Sequence, residues 1–75
     1  MRGISAETLN RLRDYYTPGT RVVLIEMNDP YTKLMPGDKG TVTGVDDIGT
    51  IHVKWDRGGS LGVVFGEDSC RKIEE

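Results

Sequence analysis

The sequence predicts a mainly β domain, a five-stranded SH3-like small barrel preceded by one short α-helix. Three observations support this prediction. Apolar residues recur at every second position in several short runs, glycine-containing turns separate these runs, and one helical pattern precedes them. Bending so few strands into a barrel requires bulges and glycines at the corners, and the chain has 10 glycines. We expect a single domain over residues 1–75, with the barrel over residues 20–73.

The expected helix covers residues 5–16. Ser5 is a suitable N-cap because its hydroxyl accepts an amide hydrogen that the first turn leaves unpaired. Pro18 ends the helix, since the residue before a proline is pushed out of the helical region. Three apolar residues recur on one helix face. They are Leu9, Leu12 and Tyr16. A helix of about three turns is marginal alone, so we expect it to dock on the barrel, against the outer face of the first strand.

The strands follow with a period of two residues. The clearest contains Ile51, Val53 and Trp55, which alternate with polar residues and predict one buried face. Gly44 interrupts the alternation of the preceding strand and predicts a β-bulge there. The five expected strands are residues 21–26, 39–46, 50–56, 60–65 and 70–73.

Composition narrows the functional class. Ten Lys and Arg residues oppose twelve Asp and Glu residues, giving a net charge of −2. Non-specific DNA binders usually carry a basic excess, because phosphate neutralisation supplies much of their affinity, so this class is disfavoured.

The single cysteine excludes an intrachain disulfide. The N-terminal residues lack the apolar run of a signal peptide, and no segment is apolar enough to span a membrane. We therefore expect a cytoplasmic protein.

Several segments together resemble one small protein family. They read PGTRV at residues 18–22, DPYTKL at 29–34, GTV at 40–42, VDDIGTIHVKWD at 45–56 and SLG at 60–62. The family is an uncharacterised domain of unknown function, found in Gram-positive bacteria and their phages or mobile elements. The resemblance runs from the helix to Ile73. It implies an SH3-like barrel and a protein that is not secreted, and it implies no activity and no site residues.

The long connection over residues 27–38 and the turn over residues 56–60 are the expected binding surface. Loops of about twelve residues are uncommon unless they are functional. The residues expected to contact a partner are Tyr31, Lys33, Trp55 and Arg57. Trp55 continues the Ile51–Val53 face, which favours a position in the core or at its rim over a role as a ligand platform. For Tyr31, packing the loop and contacting a partner are equally supported.

A second hypothesis is single-stranded nucleic-acid binding by a basic and aromatic strip of the barrel. The residues that carry it are Lys39, Lys54, Arg71 and Lys72. The competing interpretation is a solvated face of mixed charge, which the acidic net balance favours.

Nothing in the sequence favours catalysis, a metal or a cofactor. One histidine, His52, and one distant cysteine, Cys70, are too few for a structural zinc site. Asp29, Asp46 and Asp47 stand at turns, where aspartate bonds to nearby backbone. We expect Cys70 to be a small buried apolar residue.

The sequence thus predicts a non-enzymatic binding module, with a protein partner favoured and nucleic acid as the alternative. A structural domain that pairs with its own copies through the first strand or the helix is a further possibility. The sequence does not define the identity of the partner or the oligomeric state. It also leaves open whether the helix packs on the barrel or stays free of it.

Overall fold

The computed structural model describes residues 4–28 and 31–74 and confirms a mainly β fold with one N-terminal helix. The elements are α1 (Ala6–Tyr15), β1 (Arg21–Glu26), β2 (Lys39–Val45), β3 (Thr50–Trp55), β4 (Ser60–Val64) and β5 (Ser69–Lys72). The five strands form one antiparallel sheet in the order β4-β3-β2-β1-β5. The last strand therefore returns to pair with the first, which gives a small barrel-like fold.

Helix α1 begins as its sequence predicts. The Ser5 hydroxyl accepts a hydrogen bond from the amide of Thr8 (3.1 Å), which satisfies one free donor of the first turn. Leu12 and Tyr16 pack against the hydrophobic core. The helix lies against β2 and not against β1, so the expected docking on the outer face of β1 is wrong. The apolar face of α1 instead extends the main core, which leaves Ile25 of β1 46% exposed.

The core lies on the inner face of the curved sheet. Its buried cluster is Val22, Leu24, Val42, Ile51, Val53, Trp55 and Val63. The alternation predicted for β3 is confirmed, because Ile51, Val53 and Trp55 are buried while His52 and Lys54 are exposed. Four strands contribute to this one cluster, so the sheet must wrap around it. Each such side chain contributes roughly 1.5–3 kcal/mol relative to an exposed position.

Two irregularities bend the sheet. The register between β2 and β3 shifts between Val42 and Gly44, which confirms the bulge predicted there. A second shift lies between Leu24 and Glu26, where β1 pairs with β5. Phe65, expected within β4, makes only an isolated bridge with Asp68, so β4 and β5 remain the two edges of the sheet.

No helix in the described part of the chain is long and apolar enough to cross a lipid bilayer.

Candidate functional site

A surface groove lies at one end of the sheet, between the long connection and the β3–β4 turn. Its volume is about 400 Å³. We call this groove, together with Asp38, the loop end. The groove is lined by Tyr31, Thr32, Lys33, Leu34, Trp55, Arg57, Gly58, Gly59, Ser60 and Leu61. The four residues that the sequence analysis chose for partner contact are all among them.

Trp55 forms the floor of this groove. Its side chain is 2% exposed and belongs to the hydrophobic core. The indole Nε1 donates a hydrogen bond to the carbonyl oxygen of Leu61 (3.0 Å), so its polar atom is satisfied inside the protein. Trp55 thus has the core position that the sequence favoured. It shapes the groove and offers almost no surface of its own to a ligand.

Arg57 and Asp38 join the two walls of the groove. Arg57 Nε donates to Asp38 Oδ2 (3.0 Å) and the second guanidinium nitrogen donates to Oδ1 (3.1 Å). Asp38 Oδ2 also accepts a hydrogen bond from the amide of Met35 (2.9 Å). The hydrogen bond from Arg57, followed by that from Met35, lowers the pKa of Asp38 below its usual value. The hydrogen bond to Asp38 in turn raises the pKa of Arg57. Arg57 therefore holds the loop to the turn.

The long connection presents two side chains to solvent beside the groove. Tyr31 is 91% exposed. Lys33 is exposed and makes no hydrogen bond or ion pair with the residues that the structure describes. Leu34 anchors the segment, because it is half-buried against the core and its amide donates to Thr32 Oγ1 (3.2 Å). Asp29, which the sequence analysis assigned to a turn, lies outside the described residues.

The basic residues of the nucleic-acid hypothesis do not share one face. Lys54, Lys39 and Arg71 lie on the outer face of the sheet, because Lys54 aligns with Thr41 while Lys39 and Arg71 both align with Val23. Lys72 aligns instead with the buried Val22, and its Nζ lies 4.9 Å from the ring centroid of Tyr15. Strand register therefore separates Lys72 from the other three residues of the predicted strip. Neighbouring residues of one strand point to opposite faces.

Arg21 joins the three outer basic residues, and the sequence analysis did not select it. Its guanidinium forms two hydrogen bonds with Asp56 (2.8 and 2.6 Å) and one with Thr41 Oγ1 (2.9 Å). The bonds from Arg21 are the main reason that the pKa of Asp56 lies below its usual value. Four cations therefore lie on the outer face among the described residues. They share it with Asp56, which is paired with Arg21, and with His52, which is hydrogen-bonded to Asp46.

Aspartates organise the turns, as the sequence predicts for Asp46. Asp46 Oδ1 accepts from the amides of Ile48 (3.1 Å) and Thr50 (2.9 Å), and Oδ2 lies 2.9 Å from His52 Nε2. The hydrogen bond with His52, followed by that from Thr50, lowers the pKa of Asp46. Asp47 pairs with Arg13 of α1 instead (2.6 Å), a long-range contact that turn propensity does not predict.

No three His, Cys, Asp or Glu side chains cluster around a possible metal within the described residues.

A second cavity of about 340 Å³ lies near the gap between β4 and β5. Tyr16 and Cys70 line it, and the Tyr16 hydroxyl donates to the carbonyl oxygen of Cys70 (3.4 Å). Burial raises the pKa of Tyr16 to about 12 and also raises the pKa of the Cys70 thiol. A raised thiol pKa lowers the thiolate fraction, so Cys70 is a poor nucleophile. Cys70 is half-buried, where the sequence analysis expected it buried.

The fold and the groove together define a small mainly β domain with an open groove at the loop end. The family described as "Domain of unknown function (DUF4314)" matches residues 5–73, and the chain belongs to that family. None of the curated proteins compared with the chain matches it.

Proposed function

We propose that this domain is a non-enzymatic binding module that recognises a protein partner through the groove at the loop end. One observation carries the proposal. Two segments far apart in sequence, residues 31–34 and 57–61, meet over the buried Trp55 and leave a groove of about 400 Å³ between them. A concave site with an apolar floor and a few polar groups at its rim is typical of binding sites.

The groove has the composition and the stiffness that binding favours. Tyrosine and arginine are enriched among the residues that dominate interface energies, and Tyr31 and Arg57 stand on its two walls. The Asp38–Arg57 pair and the indole bond to Leu61 hold both walls before any partner arrives. A preformed site loses less conformational entropy on binding.

The non-enzymatic part of the proposal has separate support. The described lining of the groove contains no histidine, cysteine or carboxylate. A nucleophile needs a neighbouring base to become reactive at neutral pH. The chemistry of this lining suits recognition.

Affinity capture with three forms of the full chain tests the proposal. Wild type, Tyr31→Ala and Ile48→Ala are immobilised at equal amounts and exposed to a lysate of a Gram-positive bacterium. Ile48 is the matched control because it is an exposed apolar residue (76%) in the β2–β3 turn, outside the groove. We expect Tyr31→Ala to lose proteins that wild type and Ile48→Ala both retain. Identical capture by all three forms contradicts the proposal.

Single-stranded nucleic acid is the second candidate ligand, and the outer face of the sheet favours it. Arg21, Lys39, Lys54 and Arg71 share that face, where Asp56 is paired with Arg21. A titration of fluorescent single-stranded RNA at rising salt concentration tests it. Affinity driven by phosphates must fall steeply with salt and must weaken in Lys54→Glu, whereas Lys72→Glu, on the opposite face, is the control.

The proposal also includes the cellular setting. The family resemblance suggests a Gram-positive bacterial host or its phages and mobile elements, an SH3-like form of the barrel and a cytoplasmic location. Fractionation of the host with an antibody against the chain tests the location.

A further inference from the structure

Strand β4 is an edge of the sheet, and its backbone direction is fixed by its pairing with β3. The amide of Trp55 donates to the carbonyl oxygen of Gly59 (3.0 Å), which begins the ladder of that hairpin. Antiparallel strands bond through every second residue. Leu61 and Val63 therefore turn their N–H and C=O groups toward β3. Ser60, Gly62 and Val64 turn theirs away from the sheet.

The outward groups of Val64 are already used. Its amide donates to Asp68 Oδ2 (3.0 Å), and its carbonyl accepts from the amides of Glu67 (3.0 Å) and Asp68 (2.8 Å). The outward groups of Ser60 and Gly62 have no partner among the residues that the structure describes. Natural proteins usually protect such edges. The outward backbone groups of this edge are therefore hydrogen-bonded at Val64, and those of Gly62 and Ser60 are unpaired among the described residues.

One end of the open edge borders the groove, because Ser60 lines the groove and Gly62 does not. Ser60 and Leu61 form one wall, and Tyr31 to Leu34 form the other, with Trp55 between them. A peptide strand paired with Gly62 and Ser60 would therefore enter the groove at its Ser60 end. Side chains alternate along a strand, so every second one would face the apolar surface of Leu34 and Leu61.

The charges of the groove indicate what such a strand should carry. The positive charge of Arg57 is balanced by Asp38, whereas Lys33 has no ion pair with any described residue. Among the described residues, no carboxylate lines the groove. An acidic side chain beside Lys33 would complement this charge. The β4 strand of a second copy, Ser60–Val64, has no acidic residue, so it does not meet this requirement.

We propose that the groove takes an extended acidic peptide segment of a partner protein, which adds as a strand to the outer edge of β4. Main-chain hydrogen bonds to Ser60 and Gly62 supply affinity, while Lys33 and the pocket between Leu34 and Leu61 supply selectivity. This inference rests on the proposed function and narrows it to one mode of recognition and one class of ligand.

The test uses a display library of short random peptides, selected on the full chain and counter-selected on Tyr31→Ala. The best peptide is then titrated against Ser60→Pro and Ser60→Ala, and amide hydrogen exchange is measured with and without it. Proline removes the outward N–H of Ser60 and is tolerated at the first residue of an edge strand. Alanine keeps that N–H. Thermal unfolding confirms that each variant folds. A copy of the peptide methylated on alternate backbone nitrogens tests the same bonds from the ligand side.

The expected result has four parts. The selected peptides should be rich in Asp and Glu, and Ser60→Ala should bind them like wild type. Binding should weaken about tenfold or more in Ser60→Pro, or when the peptide is methylated on one of its two alternating sets of backbone nitrogens. The amides of Ser60 and Gly62 exchange more slowly in the complex. Lys33→Glu weakens the acidic peptides by a smaller factor, roughly threefold, because exposed charges interact weakly.

Three other results would overturn the inference in distinguishable ways. In the first, the peptides depend on Tyr31 but bind Ser60→Pro normally, and exchange at Ser60 and Gly62 is not slowed. This result leaves the proposed function intact and rejects strand addition. Slow exchange at both amides without peptide, together with a dimer in sedimentation, assigns the edge to a second copy. Selection of no peptide above the Tyr31→Ala background rejects strand addition and the proposed protein-binding function together.

Discussion

An aspartate orders the backbone at each end of the sheet, but the two aspartates differ in what else they bond. At the loop end, Asp38 bonds to the amide of Met35 and to Arg57 across the groove. At the other end, which we call the turn end (α1 and residues 46–49), Asp46 bonds to the amides of its own turn and to His52. Each aspartate orders a turn. Only Asp38 connects two segments that a groove separates.

The two glycines of β2 show the same contrast. A Cβ on Gly40, near the loop end, would lie 2.5 Å from Val53 Cγ1 and 2.9 Å from Trp55 Cε3. A Cβ on Gly44, in the bulge near the turn end, would meet nothing within 4 Å. The loop end is therefore closely packed below its groove and open above it. At the turn end, α1 is joined to the sheet by hydrogen bonds from Arg13 to the carbonyl oxygen of Val45 and to Asp47.

Removing the groove floor should have the largest effect. Trp55→Ala deletes the buried indole and leaves a cavity in the core. We expect it to lower the free energy of unfolding by about 3–5 kcal/mol, measured by urea denaturation. A loss below about 1 kcal/mol would mean that the indole contributes little to the core, and the contrast between the two ends would fail.

The glycine pair gives a matched comparison of intermediate size. Gly40→Ala forces a methyl group against Val53 and Trp55, so we expect a loss of about 1–3 kcal/mol. Gly44→Ala has free space and a backbone without positive φ, so its effect should stay within about 0.5 kcal/mol. Urea denaturation of both variants measures this. Equal losses would contradict the difference in packing.

Acid should weaken both ends together. Hydrogen bonds and neighbouring positive charges hold the pKa values of Asp38, Asp46 and Asp56 below their usual value in the folded state. In acid, the unfolded chain therefore binds more protons than the folded chain does. The stabilisation is complete well above the unfolded value of about 3.9 and is lost as pH falls through the lower folded values.

Urea denaturation between neutral and strongly acidic pH measures this dependence. Asp46→Asn and Asp38→Asn should each make the decline in stability shallower. Asp14→Asn removes one negative charge from α1 and serves as the control for net charge. A decline as steep in Asp46→Asn as in wild type would show that the bonds to this carboxylate do not stabilise the fold.

Exposed side chains should give the smallest changes in stability. Tyr31 at the loop end and Ile48 at the turn end are both largely exposed. Replacing either by alanine should change the free energy of unfolding by no more than about 0.5 kcal/mol, measured by thermal or urea unfolding. A larger loss in Tyr31→Ala would mean that the tyrosine packs its loop against the domain.

The sequence by itself determined the helix cap, the alternation of β3, the bulge at Gly44 and the positions of the strands to within one or two residues. These features depend on nearest neighbours: a hydroxyl beside free amides, side chains that alternate with a period of two, and a glycine that interrupts the period. The choice of residues 27–38 and 56–60 was also local, since it followed from loop length and residue type.

Only the tertiary structure decided which of these pieces meet. The Asp38–Arg57 pair, the contact of Arg13 with Asp47, the separation of Arg71 from Lys72 and the docking of α1 on β2 all depend on strand register and sheet curvature. Register is a property of the whole sheet, because shifting a strand by one residue moves each side chain to the other face. Contacts between distant segments follow from that register, and the residues of each segment alone do not specify it.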